Sequence, residues 1–408
     1  MAKFDLAVAI DAGSHSLKGM VLSVSKNTSG APALPKILKK KFVKLPISYD
    51  PQLPADYQAK LASKLGEFIL EMAKEGLKNS DRIIVGLGPS LADLAIEKKS
   101  FKVAGKEKVL TAESANTYFK NMGGSGGEIF LEVLANDYKI DLKEVNPVRT
   151  GAARPAEGSS TPPSAISILH RRQSRRRSNG VKVPESFGLT FGVMIPKLVH
   201  EVSVVVDETK KALGGLTFEF LPNAYLQQTA LAGSFRTRDA LAVDVGGENT
   251  QVLLLKNGSG VQTYSFPLGA RHFIRGIAKI ADLTYEEAED IKKQYTRNIV
   301  DESRKKQIHG FLAEESKLWY KMFAESMDGF YHFGPLPQQV FMFGGGANLA
   351  EIADTVRKGD WMKNNSFADY PKVNILGGES VFEGDTFDGY IHGPEDFNLA
   401  SIVFYLSR

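Results

Sequence analysis

The stretch from 241 to 255, LAVDVGGENTQVLLL, places a single carboxylate at the mouth of a glycine-rich turn. Its two apolar runs predict buried strands joined by a tight hairpin, with Asp244 near the end of the first strand. Gly246 and Gly247 let backbone N–H groups approach an anion without a Cβ in the way, and Thr250 adds a hydroxyl. Asp244 is better suited to hold Mg²⁺ through water than to contact a phosphate directly. The alternative is an ordinary hairpin with a solvated aspartate.

A second stretch, DLAVAIDAGSHSLKGMVLSV at residues 5–24, repeats this design. An apolar strand leads into Asp11. The turn and the following strand then offer small, hydroxyl and cationic residues, namely Gly13, Ser14, Ser16 and Lys18. Two such hairpins can face each other and clasp a polyphosphate between two lobes, with Mg²⁺ positioned by Asp11 and Asp244.

The third motif is VFMFGGGANL, at residues 340–349, which predicts a buried strand that ends in three glycines before a helix begins. Such a turn lets the chain pass close to a flat ring or a phosphate, with the N–H groups of the helix exposed. It is not a P-loop, because no Gly-Lys-Ser/Thr follows the glycines. The alternative is a helix packed tightly on a strand.

Together these motifs resemble the two phosphate motifs and the adenosine motif of the actin-like ATPase superfamily, at residues 11–19, 244–250 and 343–349. The resemblance is closer to the bacterial cell-division protein FtsA, and the related pilus-assembly protein PilM comes second. It implies an α/β, two-lobed actin-like fold of duplicated ribonuclease H-like halves, with a nucleotide cleft and a small inserted subdomain of the SHS2 type. ATP and Mg²⁺ are the implied ligands.

The resemblance also implies which residues hold the nucleotide, although it identifies no catalytic residue. The implied phosphate and metal contacts are Asp11, Gly13, Ser14, Ser16, Lys18, Asp244, Gly246, Gly247 and Thr250. The implied adenosine contacts are Gly345, Gly346 and Ala347, with Glu289 and Lys292 from the sequence AEDIK. Glu289 and Lys292 lie about one turn apart on a predicted helix, and an ordinary ion pair on a charged helix is the alternative.

Two departures from the family pattern bear on the chemistry. Actin relatives that hydrolyse ATP well often place a Gln or Glu near residues 216–231 to orient the attacking water. Chaperone-type relatives have Glu before Pro there, whereas this chain has Leu221 before Pro222. We therefore expect at most slow ATP hydrolysis. Glu248 and Asn249 stand where the family favours Gly and Thr, and Glu248 would repel a triphosphate unless it turned outward or met the metal.

Composition limits the remaining classes of function. Hydrophobic and charged contents of 43% and 24% over 408 residues are those of a globular protein with two or three domains. The absence of cysteine excludes disulfides and thiolate metal sites. We find no signal peptide and no run of about 20 apolar residues, and so expect a cytoplasmic protein. Excess positive charge is confined to 145–180, which does not indicate nucleic-acid binding.

The domain boundaries follow from the order of the motifs and from the resemblance. We predict a first lobe at 1–89 and 197–238, a second lobe at 239–389, and a return helix to the first lobe at 390–408. The inserted SHS2-type subdomain occupies 90–196. Within it, residues 146–180 are rich in Pro, Ser, Gly and Arg and predict a disordered loop.

That loop contains a cluster of arginines that could touch anionic lipid at the inner face of the cell membrane. The cluster consists of Arg171, Arg172, Arg175, Arg176 and Arg177. A solvated basic loop with no partner is the alternative. FtsA normally continues into a basic amphipathic helix that lies on the membrane, and this sequence stops at Arg408 without one.

The resemblance therefore implies an ATP-binding cytoskeletal protein that self-associates into filaments and recruits cell-division proteins, FtsZ-like among them, to the cytoplasmic membrane. The leading alternative is a PilM-like pilus-assembly adaptor, which binds ATP and a peptide from a membrane partner. A small-molecule kinase would need a substrate base in the cleft, which we do not find. A scaffold with a decayed nucleotide site also remains open.

Overall fold

The computed structural model describes residues 4–25, 34–45, 54–75, 77, 81–99, 128–135, 138–140, 187–194, 196–213, 216–385 and 387–407. The loop at 146–180 and its arginine cluster lie outside these residues. So does the stretch 109–121, VLTAESANTYFKN, whose sequence predicts a capped helix beginning near Thr111.

Strands and helices alternate along the described chain. The strands are β1 (Phe4–Ala12), β2 (Ser16–Ser25), β3 (Lys36–Lys44), β4 (Arg82–Leu87), β5 (Ala92–Lys99), β6 (Glu128–Ala135), β7 (Tyr138–Ile140), β8 (Phe187–Met194), β9 (Thr217–Pro222), β10 (Ala240–Val245), β11 (Thr250–Lys256), β12 (Ser259–Phe266), β13 (Gln339–Phe343) and β14 (Lys372–Ile375). The helices are α1 (Pro54–Ala73), α2 (Pro196–Leu213), α3 (Asn223–Gly233), α4 (Ala270–Ala281), α5 (Tyr285–Thr296), α6 (Glu302–Asp328), α7 (Ala350–Lys358), α8 (Trp361–Asn364) and α9 (Phe397–Leu406).

Two five-stranded sheets with the same topology form the two lobes. Their strand orders are β3-β2-β1-β4-β9 and β12-β11-β10-β13-β14. In each sheet the first three strands are antiparallel, and the last two run parallel to the central strand. This repeated mixed sheet is the duplicated arrangement that the sequence predicted, and the α/β, two-lobed actin-like fold is confirmed.

A third, four-stranded antiparallel sheet, in the order β5-β8-β6-β7, is inserted in the sequence between β4 and β9 of the first lobe. It falls inside the predicted insertion at 90–196. The sequence predicts strands at 129–133 and 189–196, and β6 and β8 cover the first and most of the second. Its assignment to the SHS2 type stays a prediction.

The outer core of the first lobe is formed by α1 and α2 against the first sheet. The sequence predicts an amphipathic helix over 57–78. The residues of its apolar face are buried there in α1, namely Leu61, Leu65, Phe68, Ile69 and Met72. Every residue of β4 after its first is buried, as expected for a parallel strand covered on both faces. The outer core thus fixes β1 and β4 in place at the centre of the sheet.

The inner core joins the two lobes through α3 and α9. Residues 223–231 of α3 are buried throughout, and most of α9 is buried as well. One apolar cluster includes Ala9 of the first sheet, Ala242 of the second sheet and Phe397 of α9. The predicted return helix therefore packs between the sheets, and burying each large apolar side chain contributes about 1.5–3 kcal/mol.

The second lobe has its own outer core beneath α4, α5 and α6. Trp319 and Phe323 of α6 stack with ring centroids 5.3 Å apart and are fully buried. The sequence predicts a helix over 304–330 whose apolar face includes Leu318, but Leu318 is 46% exposed, because its neighbour Trp319 occupies the face that packs on the sheet. Thr284 and Glu287 have the spacing of a capping box, which is present at the start of α5, with Thr284 Oγ1 accepting from the Glu287 N–H.

Candidate functional site

A cleft of about 620 Å³ opens between the lobes at the carboxyl ends of β1, β10 and β13. Eleven of the predicted site residues line it, namely Asp11, Gly13, Ser14, Ser16, Lys18, Asp244, Gly246, Gly247, Glu289, Lys292 and Gly345. Both predicted hairpins and the glycine turn after β13 therefore meet at one place, although they are far apart in the sequence.

The first hairpin joins β1 to β2 and presents its carboxylate beside a cation. Asp11 lies opposite Lys18 in the strand register, and the turn is closed by a bond from Gly13 N to Ser16 O of 3.1 Å. Asp11 Oδ1 accepts a hydrogen bond from Asn223 Nδ2 at 3.0 Å. Burial raises the pKa of Asp11, and the Lys18 charge and the Asn223 bond oppose that rise only in part.

Asp244, at the second hairpin, is held by two amides. Its Oδ2 accepts from Gln227 Nε2 at 2.8 Å and from Asn398 Nδ2 at 2.9 Å. Its Oδ1 is buried with no hydrogen-bond partner among the described residues. Burial raises the pKa of Asp244 to about 6, and the Asp11 charge adds to that rise. The two amides thus fix the orientation of the carboxylate through Oδ2, and Oδ1 remains available to accept a further hydrogen bond.

Lys18 lines the cleft, but its ammonium group is already hydrogen-bonded within the protein. Its Nζ donates to Glu395 O and to Asp396 Oδ1, the latter at 3.0 Å. Lys40 Nζ donates to the other oxygen of Asp396 at 2.8 Å. Burial of Asp396 works against ionisation, but the charges of Lys18 and Lys40 outweigh it and lower its pKa. Lys18 therefore ties the first hairpin to the start of α9.

Glu248 turns away from the cleft, which removes the expected repulsion of a phosphate. Its carboxylate bonds both Nη atoms of Arg275, at 3.1 and 2.9 Å, and Nη1 of Arg271 at 3.4 Å. Its backbone N–H donates to Ser14 Oγ at 2.9 Å, across the lobes. The Glu248 charge is neutralised inside the second lobe.

Three predicted site residues, Thr250, Gly346 and Ala347, lie behind the cleft wall and do not line it. The Thr250 hydroxyl donates to Leu268 O at 2.6 Å and accepts from Trp319 Nε1 at 2.9 Å. Gly346 packs against β10, where an added Cβ would lie 2.3 Å from Val245 Cγ1. Ala347 is fully buried. The structure therefore places these three residues in the support of the cleft wall, and their contact with a nucleotide stays a prediction.

Helix α5 brings charged residues to the outer part of the cleft. Glu289 pairs with Lys44 of β3, lies 3.3 Å from Lys293 Nζ, and lies 3.7 Å from His15 Nε2. Lys292 forms no ion pair with the residues that the structure describes. Burial lowers the pKa of Lys292 to about 8, against the opposing effect of Glu289. Lys292 is thus a cation positioned to meet an anionic ligand.

Several residues of the cleft were not predicted. Asn223, His15 and Lys44 line it, as does Asn398, while Gln227 orients Asp244 from behind. Asn223 directly follows the parallel strand β9. Because ligand contacts concentrate at the carboxyl ends of parallel strands, its position in the sequence indicated a residue of the cleft. Asn398 and Gln227 lie within helices and had no such signal.

Two other classes of feature were sought in the part of the chain that the structure describes. It holds no group of three or more His, Cys, Asp or Glu side chains that could hold a metal ion. None of its helices combines the length and apolar character needed to cross a membrane.

Comparisons with known proteins agree with this geometry. Residues 241–376 match the family model described as cell division protein FtsA. No curated protein matches the chain. A chain of the PilM–PilN type IV pilus biogenesis complex is similar over 98% of both chains, with a TM-score of 0.58 and 16% identity.

Two further solved structures resemble the chain more distantly. The ethanolamine utilization protein EutJ from Carboxydothermus hydrogenoformans has a TM-score of 0.44 and 13% identity over 99% of this chain and 90% of its own. The MamK double helical filament has a TM-score of 0.44 and 9% identity over 98% of both chains. The chain has the fold of the actin-like ATPase superfamily, and its second lobe matches the FtsA family model.

Proposed function

We propose that this chain binds Mg-ATP in the cleft between its lobes and uses the nucleotide to control assembly with partner proteins. The observation that carries the proposal is the pair of buried aspartates, Asp11 and Asp244, at the ends of the corresponding strands β1 and β10. The Asp11 charge contributes to the raised pKa of Asp244. A divalent cation held between them would relieve this repulsion.

The two carboxylates fit a hydrated Mg²⁺. Asn223 orients Asp11, and Gln227 with Asn398 orients Asp244, so neither carboxylate can swing freely. Asp244 Oδ1 is buried without a hydrogen bond, and an available carboxylate oxygen suits a water ligand of Mg²⁺. The metal would supply charge neutralisation at the phosphates.

The phosphates would lie between the hairpins. Ser14 and Ser16 offer hydroxyls from the first lobe, and the glycine backbone at 246–247 offers N–H groups from the second lobe. Lys292 is the cation of α5 that has no ion pair among the described residues, and a phosphate beside it would favour its charged form and raise its pKa. We propose that Gly345 lies against the adenosine, as the resemblance implies.

Hydrolysis would be slow. Leu221 is buried in the inner core and cannot orient an attacking water. Glu289 is held by Lys44, and Glu395 Oε2 accepts from Asn348 at 3.0 Å. The amide of Asn223 can orient a water but cannot accept its proton as a carboxylate would. A nucleotide that is bound and slowly turned over suits a switch.

For the cellular role, we propose an FtsA-like protein that polymerises with ATP and recruits cell-division proteins at the inner face of the cytoplasmic membrane. The family-model match over residues 241–376 supports this role. Membrane contact would use a partner or the arginine cluster at 171–177.

The second candidate is a pilus-assembly adaptor that binds ATP and a peptide of a membrane partner and polymerises little. Similarity over 98% of both chains to a chain of the PilM–PilN complex favours it. The two roles share the cleft and differ in whether copies of the chain assemble with one another.

Sedimentation separates the two roles. The purified protein is centrifuged with Mg-ATP, with Mg-ADP and without nucleotide, and ATP binding is measured in parallel by titration calorimetry. Pelleting that requires ATP supports the filament-forming role. A protein that binds ATP yet stays in the supernatant in all three cases supports the adaptor and rules out filaments. A protein that binds no ATP contradicts both.

A further inference from the structure

Arg271, the second residue of α4, is a fully buried arginine that links the two lobes. Its Nη2 donates to Leu45 O of the first lobe at 2.7 Å, and its Nε donates to His15 Nδ1 at 3.4 Å. Within the second lobe, its Nη1 donates to Glu248 Oε1 at 3.4 Å. It does not line the cleft, so a bound ligand would not need to touch it.

The backbone of Arg271 is anchored to the second hairpin as well. Its N–H donates to Gly247 O at 2.8 Å, and the preceding Ala270 N–H donates to Gly246 O at 2.8 Å. Gly269 makes this approach possible, because a Cβ there would lie 2.4 Å from Gly247 O. Arg271 therefore moves with the second hairpin while its side chain holds the first lobe.

Behind the cleft the two hairpins are in direct contact. A Cβ at Gly247 would lie 2.8 Å from both His15 Cβ and Ser14 Oγ, so only glycine allows this approach. The Glu248 N–H donates to Ser14 Oγ across the same contact. Because the phosphate groups of one ligand must contact both hairpins, the distance between the hairpins determines whether all of the phosphate contacts can form.

The neighbouring Arg275 shows that Glu248 does not need Arg271 for neutralisation. Arg275 bonds both oxygens of Glu248, at 3.1 and 2.9 Å, and its side chain is one-third exposed. The structure shows it bonded within its own lobe. A second guanidinium buried at the same carboxylate carries a desolvation cost, which its bonds to Leu45 O and His15 offset.

We propose that Arg271 is a positioning residue for the phosphate site, which holds the two hairpins at the separation that a polyphosphate requires. This inference rests on the proposed binding of ATP. Arg271 acts on the first lobe through His15 of the first hairpin and through the carbonyl of Leu45, which follows β3, and on the second hairpin through Gly247. The residues proposed to recognise adenosine lie in the second lobe, so we expect adenosine binding to depend on Arg271 less than phosphate binding does.

The test compares Arg271→Lys with the matched control Arg275→Lys. Lysine keeps the positive charge beside Glu248 but has one nitrogen, and so cannot reach Leu45 O, His15 and Glu248 together. Dissociation constants for Mg-ATP and for adenosine are measured by calorimetry. We expect Arg271→Lys to weaken ATP binding roughly tenfold and adenosine binding less than about twofold, with both nearly unchanged in Arg275→Lys.

A second measurement needs no ligand. The chain has no cysteine, so spin labels at Ser63→Cys and Ser303→Cys, both exposed and one in each lobe, report the distance between the lobes. We expect a narrow distance distribution in the parent and in Arg275→Lys, and a broader or longer one in Arg271→Lys.

Equal effects of the two lysine variants on ATP affinity and on the lobe distance would overturn the inference. So would equal losses of ATP and adenosine binding in Arg271→Lys, because those indicate general damage. If the parent itself bound no ATP, the proposed function would fail together with the phosphate role of Arg271. The distance measurement would then decide separately whether Arg271 holds the lobes.

Discussion

The two hairpins of the cleft have the same strand arrangement yet present different groups to it. In the first hairpin, Asp11 is followed by Ser14 and Ser16, which both line the cleft. In the second, Asp244 is followed by glycine backbone at the wall, and the hydroxyl of Thr250 points into the lobe's own core. After the aspartate, the first hairpin offers two serine hydroxyls, whereas the second offers glycine backbone and Asn249, whose amide is already bonded to Ser90.

This difference shows that equal topology does not give equal chemistry. The second hairpin is covered by the start of α4, whose N–H groups bond Gly246 and Gly247. A long side chain in that turn would have to turn aside, as Glu248 does. What the hairpins share is the aspartate, and the largest expected effects therefore fall there.

Replacing either aspartate should abolish the use of Mg²⁺. We expect Asp244→Ala and Asp11→Ala each to weaken Mg-ATP binding roughly a thousandfold, about 4 kcal/mol, because the metal would lose one of its two carboxylates. Calorimetry with Mg²⁺ and with EDTA measures this, and circular dichroism verifies that the variants fold. If only one variant lost the Mg²⁺ dependence, the hairpins would not be equivalent even in their aspartates.

The raised pKa of Asp244 should appear in the stability of the free protein. Its folded pKa of about 6 lies above its ordinary value of 3.8, so the folded state keeps a proton that the unfolded state has released. The associated stabilisation is present below pH 4 and is lost as the pH rises through 6, by about 3 kcal/mol. Denaturant unfolding between pH 4 and 7 measures it.

Asp244→Asn is the control for that measurement, since an amide has no proton to release. This variant should lose less stability than the parent as the pH rises from 4 to 7. Mg²⁺ added with ATP at pH 7 should stabilise the parent and not the variant, because the ligand binds the folded state. Identical pH profiles for parent and variant would show that the pKa of Asp244 is the ordinary value of a solvent-exposed carboxyl group.

The sequence predicted the parts of the fold and site that depend on local pattern. Apolar runs predicted the strands at the centre of both sheets, and an aspartate before glycine located both hairpins at the cleft, but the edge strands β3 and β14 were not predicted. It did not predict the direction of Glu248, which depends on Arg271 and Arg275, one and two turns into a later helix. Nor did it predict Asn398, whose approach to Asp244 depends on α9 packing between the lobes.

Ser14 should show the contribution of a side chain in the first hairpin. Removing its hydroxyl in Ser14→Ala takes away a cleft-lining group and the acceptor of the Glu248 N–H. We expect ATP affinity to fall about tenfold, the effect of one or two lost hydrogen bonds, and adenosine affinity to stay the same. An equal loss for adenosine would mean that Ser14 acts on the closure of the whole cleft.

Thr250 should show the opposite behaviour, with no effect on affinity and a clear effect on stability. In Thr250→Val the shape is kept, but the buried Trp319 Nε1–H loses its acceptor and Leu268 O loses its donor. Leaving such groups unpaired costs about 1–3 kcal/mol each, whereas Thr250→Ser keeps the hydroxyl and should cost less. Chemical denaturation and ATP titration of both variants measure the two effects separately. Lost ATP affinity in Thr250→Val, with stability unchanged, would return this hydroxyl to the phosphate site and make the two hairpins alike after all.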